Sequence, residues 1–269
     1  MKKITTTLVI IFAAILVAIT AFALRSAMLS QPKNSDIKYV IFFGRAASGK
    51  GSQGDFAIEK FHMARISSGE TMRKLAKSSN PEEASKWSKI LERVALGNMI
   101  SFEDATEIMK ISIASSVEKL NKSKVVGQKY KGIILDGYPR SIRQNESIEA
   151  GDLGDFEISA AFFFDISEKD AIDRMSGRLV CGKCGENYGK SKKPKEAGKC
   201  DKCGEKISRR KDDSSADAIR KRFKTFDKET MPVIEFYKKK GKLITIDAAL
   251  PMEEVWSQTE KHLEKILNG

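Results

Sequence analysis

The sequence predicts an α/β fold in which a doubly wound parallel sheet carries helices on both faces. Short apolar runs, rich in β-branched or aromatic residues and without alternation, are typical of buried parallel strands and occur at residues 37–43, 132–135, 158–164 and 243–246. Stretches with helical periodicity separate or follow them, at residues 102–120, 170–175, 218–240 and 252–267. In such sheets ligands bind at the carboxyl ends of the strands, where we expect the functional residues.

Length and composition fit one domain with a small insertion. The chain has 269 residues, of which 41% are hydrophobic and 31% are charged, as in ordinary soluble proteins. The net charge of +12 is compatible with a nucleic acid, a membrane surface or anionic small molecules as partner, or with lysines that are simply solvated. The two histidines, His62 and His262, stand in unrelated contexts, which argues against histidine-based acid/base or metal chemistry.

The first 24 residues are typical of a secretory signal, or of a membrane anchor through residues 4–24 if they stay uncut. Lys2 and Lys3 precede an apolar run, and Ala21-Phe22-Ala23 is similar to a small-residue cleavage site. Residues 25–36 indicate a linker, so that the folded domain comprises residues 37–269. Basic residues on both sides of the apolar run leave its orientation open.

A phosphate-binding motif follows the first predicted strand. Gly44, Gly49 and Lys50 fit the pattern G-x-x-x-x-G-K, and a helix-like segment comes next. The backbone amides of this turn would point at one phosphate-binding spot at the positive end of that helix, while Lys50 would supply a mobile cation for β- and γ-phosphates. In one departure from the generic pattern, Gly51 separates the lysine from the hydroxyl of Ser52. The alternative interpretation is a glycine-rich surface turn.

All four cysteines indicate a structural zinc site. Cys181 and Cys184 form one C-x-x-C pair, Cys200 and Cys203 form another, and 15 residues separate the pairs. A glycine follows each pair, where a tight knuckle needs backbone freedom. Zinc would staple a small lid at residues 178–212 whose core is too small to fold alone. Two disulfides or a redox C-x-x-C are the alternatives.

Arginines bracket this insertion. Arg174 and Arg178 precede it, Arg210 closes it, and Arg222 lies one helical segment further on. A lone arginine is usually a solvated surface residue. Beside a phosphate-binding loop, however, these planar donors would grip polyphosphate oxygens and neutralise transition-state charge.

Together, these motifs resemble those of the nucleoside monophosphate kinases, specifically adenylate kinase in its zinc-containing, long-lid form. The resemblance covers about residues 38–260, and that family's phosphate loop also places a glycine after the lysine. Its most specific part is Asp136-Gly137-Tyr138-Pro139-Arg140 with Gln144, which follows a predicted strand and so faces the same crevice as the loop. Residues 62–73 and 97–100 resemble the segments that bind AMP.

The resemblance implies roles for individual residues. On the AMP side, residues 67–100 form a small helical region in which Ser68 contacts the nucleoside and Arg73 the phosphate. Arg140 binds the AMP phosphate, Gln144 the adenine, and Asp136 holds waters on Mg²⁺. Further AMP-site residues are Asn98, Met99, Ile100, Gly137, Tyr138 and Pro139, with Arg210 and Arg222. The ATP side comprises Ala47, Ser48, Gly49, Lys50, Gly51, Ser52, Arg178, Asn187, Tyr188 and Leu250. The catalytic set is Lys50, Asp136, Arg140, Arg174, Arg178, Arg210 and Arg222.

Several positions depart from the family pattern. The family's phosphate loop reads Gly-x-Pro-Gly, whereas this chain has Ala46 and Ala47 in the last two places. If the second place requires a positive φ, Ala47 is strained by about 1 kcal/mol or more. Ser52 and Ser68 replace threonine, and Glu70 replaces aspartate. Since no charged phosphate ligand is lost, we expect an active enzyme.

The expected reaction is transfer of the γ-phosphoryl group of MgATP to AMP, giving two ADP, by a monomer that does not bind nucleic acid. The alternatives are a kinase for CMP, UMP or GMP, a kinase using GTP as donor, and a membrane-tethered zinc ribbon that binds nucleic acid through lysines. ATP and reduced thiolates indicate a cytosol-like compartment, whereas the N-terminus indicates export or anchoring.

Overall fold

The computed structural model describes residues 37–122, 132–190, 192–209 and 216–269, so the predicted N-terminal signal or anchor and the linker lie outside it. The strands are β1 Lys38–Phe43, β2 Ala64–Ser67, β3 Gly132–Asp136, β4 Ile158–Asp165, β5 Leu179–Cys181, β6 Asn187–Tyr188, β7 Ile207–Arg209 and β8 Leu243–Asp247. Five of them form a parallel sheet in the order β2-β3-β1-β4-β8. The four predicted strands are confirmed, and β2 is an edge strand that was not predicted.

Helices surround this sheet. They are α1 Lys50–Phe61, α2 Ser68–Leu75, α3 Pro81–Ala95, α4 Phe102–Lys122, α5 Ile142–Glu149, α6 Glu168–Ser176, α7 Ala216–Thr225, α8 Met231–Lys239 and α9 Met252–Asn268. The single helix predicted at residues 218–240 is wrong in one respect, because a π-helical turn, Phe226–Thr230, separates α7 from α8. Of the helices the structure describes, none has the length and apolarity needed to cross a membrane.

Both faces of the sheet are buried, as the unalternated apolar strands predicted. Val40 and Phe42 of β1 point into one cluster, which also contains residues of α1, α6 and α9. Their neighbours Ile41 and Phe43 point into a second cluster with residues of α4, α5 and α8. Because alternate residues of a strand face opposite sides, the two clusters lie on opposite faces and confirm the doubly wound arrangement.

Strand pairing places the predicted phosphate-binding loop and the Asp136–Arg140 motif side by side. β1 lies between β3 and β4, with Phe42 beside Asp136 on one side and Phe162 on the other. The loops that follow β1 and β3 therefore leave the sheet at neighbouring positions along one edge. A separate antiparallel sheet in the order β6-β5-β7 forms the insertion that carries the cysteines.

Candidate active site

The loop between β1 and α1 contains two left-handed backbone conformations. Gly49, directly before α1, has a φ of 87°, and Ala47 has a φ of 64°. The positive φ considered for Ala47 is thus confirmed, and a residue with a Cβ in this conformation costs about 1 kcal/mol relative to glycine. Strained backbone persists only where the surrounding structure fixes it, so the contacts around this loop determine its shape.

Arg45 provides such contacts, and the sequence reasoning missed it. Its Nη2 donates to Asp227 Oδ1 at 2.5 Å, and its Nη1 donates to the carbonyl oxygen of Ile166 at 3.2 Å. The guanidinium also lies 5.5 Å from the ring centre of Phe226. Asp227 and Phe226 belong to the π-helical turn. The sequence signal is an arginine inside the loop, but its acidic partner lies 182 residues further on.

Lys50 is a partly dehydrated cation at the start of α1. Its Nζ donates to the carbonyl oxygen of Arg45 at 3.3 Å. Removal from water is the main cause that lowers the pKa of Lys50 to about 8; Arg140, Arg178 and Arg222 also lower it, and Asp136 opposes them. Four other predicted catalytic residues therefore act electrostatically on Lys50, and three of the four are cations. Such a field attracts polyphosphates.

The motif after β3 is held by short-range hydrogen bonds. The backbone amide of Arg140 donates to Gln144 Oε1 at 2.7 Å, and Arg140 Nε donates to the carbonyl oxygen of Gly137 at 2.9 Å. Ser68 Oγ donates to the same carbonyl oxygen at 2.9 Å. Gly137 has a φ of 83°, which a side chain would disfavour. These contacts join the motif to α2, the helix of the predicted AMP region.

One cavity brings the predicted AMP residues together with the lysine of the loop. It is lined by Lys50, Ser68, Arg73, Asn98, Met99, Ile100, Gly137, Tyr138, Pro139, Arg140, Gln144 and Arg222. Met72, Leu91, Val94 and Ile108 give it an apolar wall built from α2, α3 and α4. A cavity lined by both arginines and apolar side chains suits a ligand that carries a phosphate and a flat base.

Arg65 is a second residue that the sequence reasoning missed. Its side chain is only 12% exposed and pairs with Glu70 at 2.6 Å, Asp55 at 3.2 Å and Asp136 at 3.5 Å. Its Nη1 also donates to the carbonyl oxygen of Gly51 at 3.2 Å. Arg65 lies on β2, so one side chain connects α1, α2 and the end of β3. An arginine in an unrecognised edge strand gave no sequence signal for this role.

Other predicted residues lie outside the lining of this cavity. Arg174 Nη2 donates to the carbonyl oxygen of Ala249 at 3.4 Å. Leu250 packs, partly buried, against the core cluster that contains Val40. Arg178 lies close enough to Lys50 to lower the pKa of its ammonium group. Arg210 lies outside the described residues.

The four cysteine sulfurs converge in the insertion. The Sγ atoms of Cys181 and Cys203 are 3.5 Å apart, as are those of Cys184 and Cys200. All four lie within 4.8 Å of one another, and the thiols are free rather than paired in disulfides. Four sulfurs placed tetrahedrally at about 2.3 Å from zinc are roughly 3.8 Å apart, so the cluster fits a zinc ion.

Local backbone geometry shapes the two knuckles. Gly185 and Gly204 have φ values of 78° and 72°, which confirms that backbone freedom is used after each cysteine pair. The thiols of the cluster shift in opposite directions: burial raises the pKa of Cys200, but hydrogen bonds from the Tyr188 hydroxyl and from the backbone amides of Lys202 and Cys203 outweigh it and lower the pKa to about 6, whereas burial raises the pKa of Cys184 to about 12. Thiolate is the form that binds a metal.

Two lid residues predicted to contact ATP have local partners. The Tyr188 side chain is buried, and its hydroxyl lies 3.4 Å from Cys200 Sγ. Asn187 Nδ2 donates to the carbonyl oxygen of Gly185 at 3.1 Å. Since the tyrosine side chain lies in the lid interior, a contact from Tyr188 to a nucleotide would come from its backbone.

The lid and α7 touch the predicted AMP region. Lys77 Nζ, just after α2, donates to the carbonyl oxygen of Gly182 in the first knuckle at 2.8 Å. Lys221 Nζ of α7 donates to Asn98 Oδ1 at 2.5 Å. These contacts join the lid and α7 to the predicted AMP region, and we refer to this arrangement as closed.

Comparison with known proteins places this geometry in context. A sequence model of the family described as "Adenylate kinase" matches residues 42–242. The adenylate kinase of Petrotoga mobilis is 36% identical over 219 residues, covering 80% of this chain and 93% of that protein. The adenylate kinase of Thermotoga neapolitana is 32% identical, covering 83% and 96%. The adenylate kinase of Paracoccus denitrificans is also 32% identical, covering 84% and 97%.

Proposed function

The chain belongs to the adenylate kinase family, and we propose that its two nucleotides meet in the cavity between the phosphate loop and the 67–100 region. Its activity is that of a phosphotransferase that moves the γ-phosphoryl group of ATP to AMP and yields two ADP. The observation that carries the proposed location is that one cavity joins Lys50 to the predicted AMP-binding residues.

On the donor side, the loop of residues 47–52 would hold the ATP phosphates. Ser48 Oγ is buried and has no hydrogen-bond partner among the residues that the structure describes, so it has capacity for a phosphate oxygen. Lys50, in its protonated form, would bind the β- and γ-phosphates. Asn187, Tyr188 and the backbone near Leu250 would complete the ATP site.

On the acceptor side, Arg73 and Arg140 would fix the AMP phosphate while Ser68 and Gln144 contact the nucleoside. Asn98, Met99 and Ile100 would close over the ribose and adenine. The apolar wall of the cavity supports this assignment, because it offers a base an apolar surface in the same cavity as the cations. The acceptor phosphate is already anionic, so the reaction needs no general base.

Positioning and charge neutralisation would carry the transfer. Arg178 and Arg222 lie near Lys50 and would stabilise charge on the transferring group. Arg174 and Arg210 are proposed for the same task. Asp136, a buried carboxylate beside this group, offers the oxygen ligand that Mg²⁺ or its bound water prefers. When bound, Mg²⁺ supplies charge neutralisation at the phosphates.

A coupled ADP-production assay on the full chain tests the nucleotide specificity. ATP is offered with AMP, CMP, UMP and GMP in turn, and GTP is then offered with AMP. We expect ADP formation with ATP and AMP and little with the other pairs. Preference for another monophosphate would instead make the protein a kinase for that acceptor. A folded protein that binds nucleotide without turnover would contradict the proposed catalytic set.

Arg140→Ala tests the acceptor site. Loss of one charged hydrogen bond to the AMP phosphate should raise the KM for AMP about 10- to 100-fold and leave the KM for ATP nearly unchanged. Arg143→Ala is the matched control, because Arg143 lies three residues away but stacks on Phe102 outside the cavity lining. Unchanged kinetics with AMP in Arg140→Ala would refute the assignment.

We also propose that the lid binds one structural zinc ion through its four cysteines. Zinc released by a chelator should match one equivalent per chain, and Cys184→Ser should bind less zinc and melt at a lower temperature. A thiol titration of chelated, unfolded protein without reductant separates zinc from disulfides. Four reactive thiols support the metal site, whereas none would show two disulfides.

We further propose that residues 1–24 are either a signal that is cleaved or a membrane anchor that is retained. Cell fractionation with N-terminal sequencing separates the two. A mature chain that begins near Leu24 excludes an anchor, whereas an intact N-terminus in the membrane fraction supports one. Light scattering of the same preparation tests the expectation of a monomer.

A further inference from the structure

We propose that Arg45 is a positioning residue that fixes the phosphate loop in its ATP-binding shape. Its side-chain contacts would do what a proline at position 46, by fixing φ, and a glycine at position 47, by adopting a positive φ without strain, could do. This inference rests on the proposed ATP site, since it concerns how that site is kept in shape. Arg45 itself need not touch the nucleotide.

The loop needs an external constraint. Ala46 lacks the ring that would limit its φ, and Ala47 sits at a φ of 64°, where a Cβ is disfavoured. Released from its surroundings, the segment would leave this conformation, and the amides that follow Ala47 would change direction. A phosphate cradle depends on those directions.

Arg45 connects this segment to two separate parts of the protein. Its bond to Asp227 reaches the π-helical turn, and its bond to the carbonyl oxygen of Ile166 reaches the segment just after β4. The arginine side chain is 19% exposed, so water screens these bonds only partly. The π-helical turn is also held from the other side, where Thr230 Oγ1 donates to the carbonyl oxygen of Arg140 at 3.0 Å.

The same residue also orients the loop lysine. The backbone carbonyl of Arg45 accepts from Lys50 Nζ and from the backbone amide of Ser48, the latter at 3.2 Å. Movement of Arg45 would therefore displace the cation and the cradle together. The predicted effect falls mainly on ATP, because both groups held by the Arg45 carbonyl belong to the proposed ATP site. Phe226 and Thr230 of the π-helical turn also line the AMP cavity, so a smaller effect on AMP is expected.

A test of non-additivity distinguishes positioning from general stability. Arg45→Met keeps a long side chain but removes the charge and the bonds, and Ala47→Gly removes the penalty of the left-handed conformation. We expect Arg45→Met to weaken binding of a non-hydrolysable ATP analogue about tenfold in the parent chain and less than about threefold in the Ala47→Gly background. Asp227→Asn should reproduce the effect in weaker form, and the KM for AMP should change by less than about twofold.

Arg220→Met is the control, because Arg220 pairs with Asp217 at 2.7 Å on exposed α7 and should leave ATP binding unchanged. The inference is overturned if Arg45→Met binds the analogue normally, weakens ATP and AMP use equally, or loses the same factor in the Ala47→Gly background. Lys50→Met reports separately on the proposed ATP site. Normal analogue binding by that variant would mean that the site itself is misplaced.

Discussion

At the scale of single residues, Lys50 combines two opposing requirements. A phosphate ligand needs the ammonium form, yet the folded protein disfavours it, because the lysine is withdrawn from water among three arginines. The pKa of about 8 is therefore a cost that the folded protein carries until an anion arrives. The lowering of this pKa has two measurable consequences.

The first concerns ATP affinity. Below about pH 8 the lysine of the free protein is already protonated, whereas above it binding must be accompanied by proton uptake. We expect the dissociation constant of an ATP analogue to rise about tenfold between about pH 7 and pH 9. Calorimetry in buffers of different ionisation enthalpy should register the proton uptake at the higher pH. Lys50→Arg, which stays charged, should show a flat profile even if it binds more weakly.

The second concerns stability. A lysine whose pKa is lowered on folding binds more protons in the unfolded state, so its contribution to the unfolding free energy rises from about pH 8 to the ordinary lysine pKa near about 10.4. We expect Lys50→Met to be more stable than the parent by about 1–3 kcal/mol at about pH 7, with the gap narrowing by about 1 kcal/mol at about pH 9. Urea unfolding at both pH values measures it. A variant that is less stable at neutral pH would contradict the burial cost.

At this scale the sequence predicted the residues of the loop, the motif after β3 and the cysteine cluster, because each is a short pattern. It also pointed to a positive φ at Ala47, and the structure has one of 64° there. It missed Arg45 and Arg65, because the partners that define their roles come from other elements. Asp227, for example, lies 182 residues from Arg45.

At the scale of elements, one edge strand organises the region between the two proposed nucleotide sites. β2 presents only one buried residue, Ile66, so it lacks the apolar run by which the other strands were recognised. Hydrophobic periodicity likewise did not predict the π-helical turn, because the apolar pattern continues through it. The start of α3 was visible in principle, since Asn80 caps it and Pro81 occupies its first turn.

Arg65 is the residue through which β2 contributes to stability. Replacing it by methionine leaves the carboxylates of Glu70, Asp55 and Asp136 without their shared cation. We expect Arg65→Met to lower the unfolding free energy by about 2–4 kcal/mol at neutral pH, as measured by urea unfolding. Lys60→Met is the control, because its pair with Glu260 at 2.9 Å is exposed and should contribute little. Equal losses in the two variants would refute the role.

At the scale of the whole molecule, the closed arrangement is held by contacts between the lid or α7 and the proposed AMP region. Fold class and strand positions followed from the sequence, because buried parallel strands have a distinctive composition. The closure did not follow, because it depends on single exposed side chains such as Lys77. The three-stranded lid sheet was also not predicted, since strands of two or three residues carry too little pattern.

Lys77→Ala tests this closure. The lost bond to the carbonyl oxygen of Gly182 is exposed, so it should weaken the closed state by about 0.5 kcal/mol. We expect the KM values for ATP and AMP to rise together by about twofold, with kcat unchanged or increased if reopening limits turnover. Lys89→Ala on the exposed surface of α3 is the control. A change in the KM of one nucleotide alone would indicate a local effect instead.

The order of strands in the sheet also has a consequence for biosynthesis. β1 emerges from the ribosome first, yet Val40 needs Ile134 on one side and Ala160 on the other. At about 5–20 residues per second, translation takes on the order of ten seconds to supply the second partner. Throughout that interval the apolar strand β1 has unpaired edges through which chains can aggregate. In cells depleted of chaperones, we therefore expect nascent chains to aggregate more readily than completed ones.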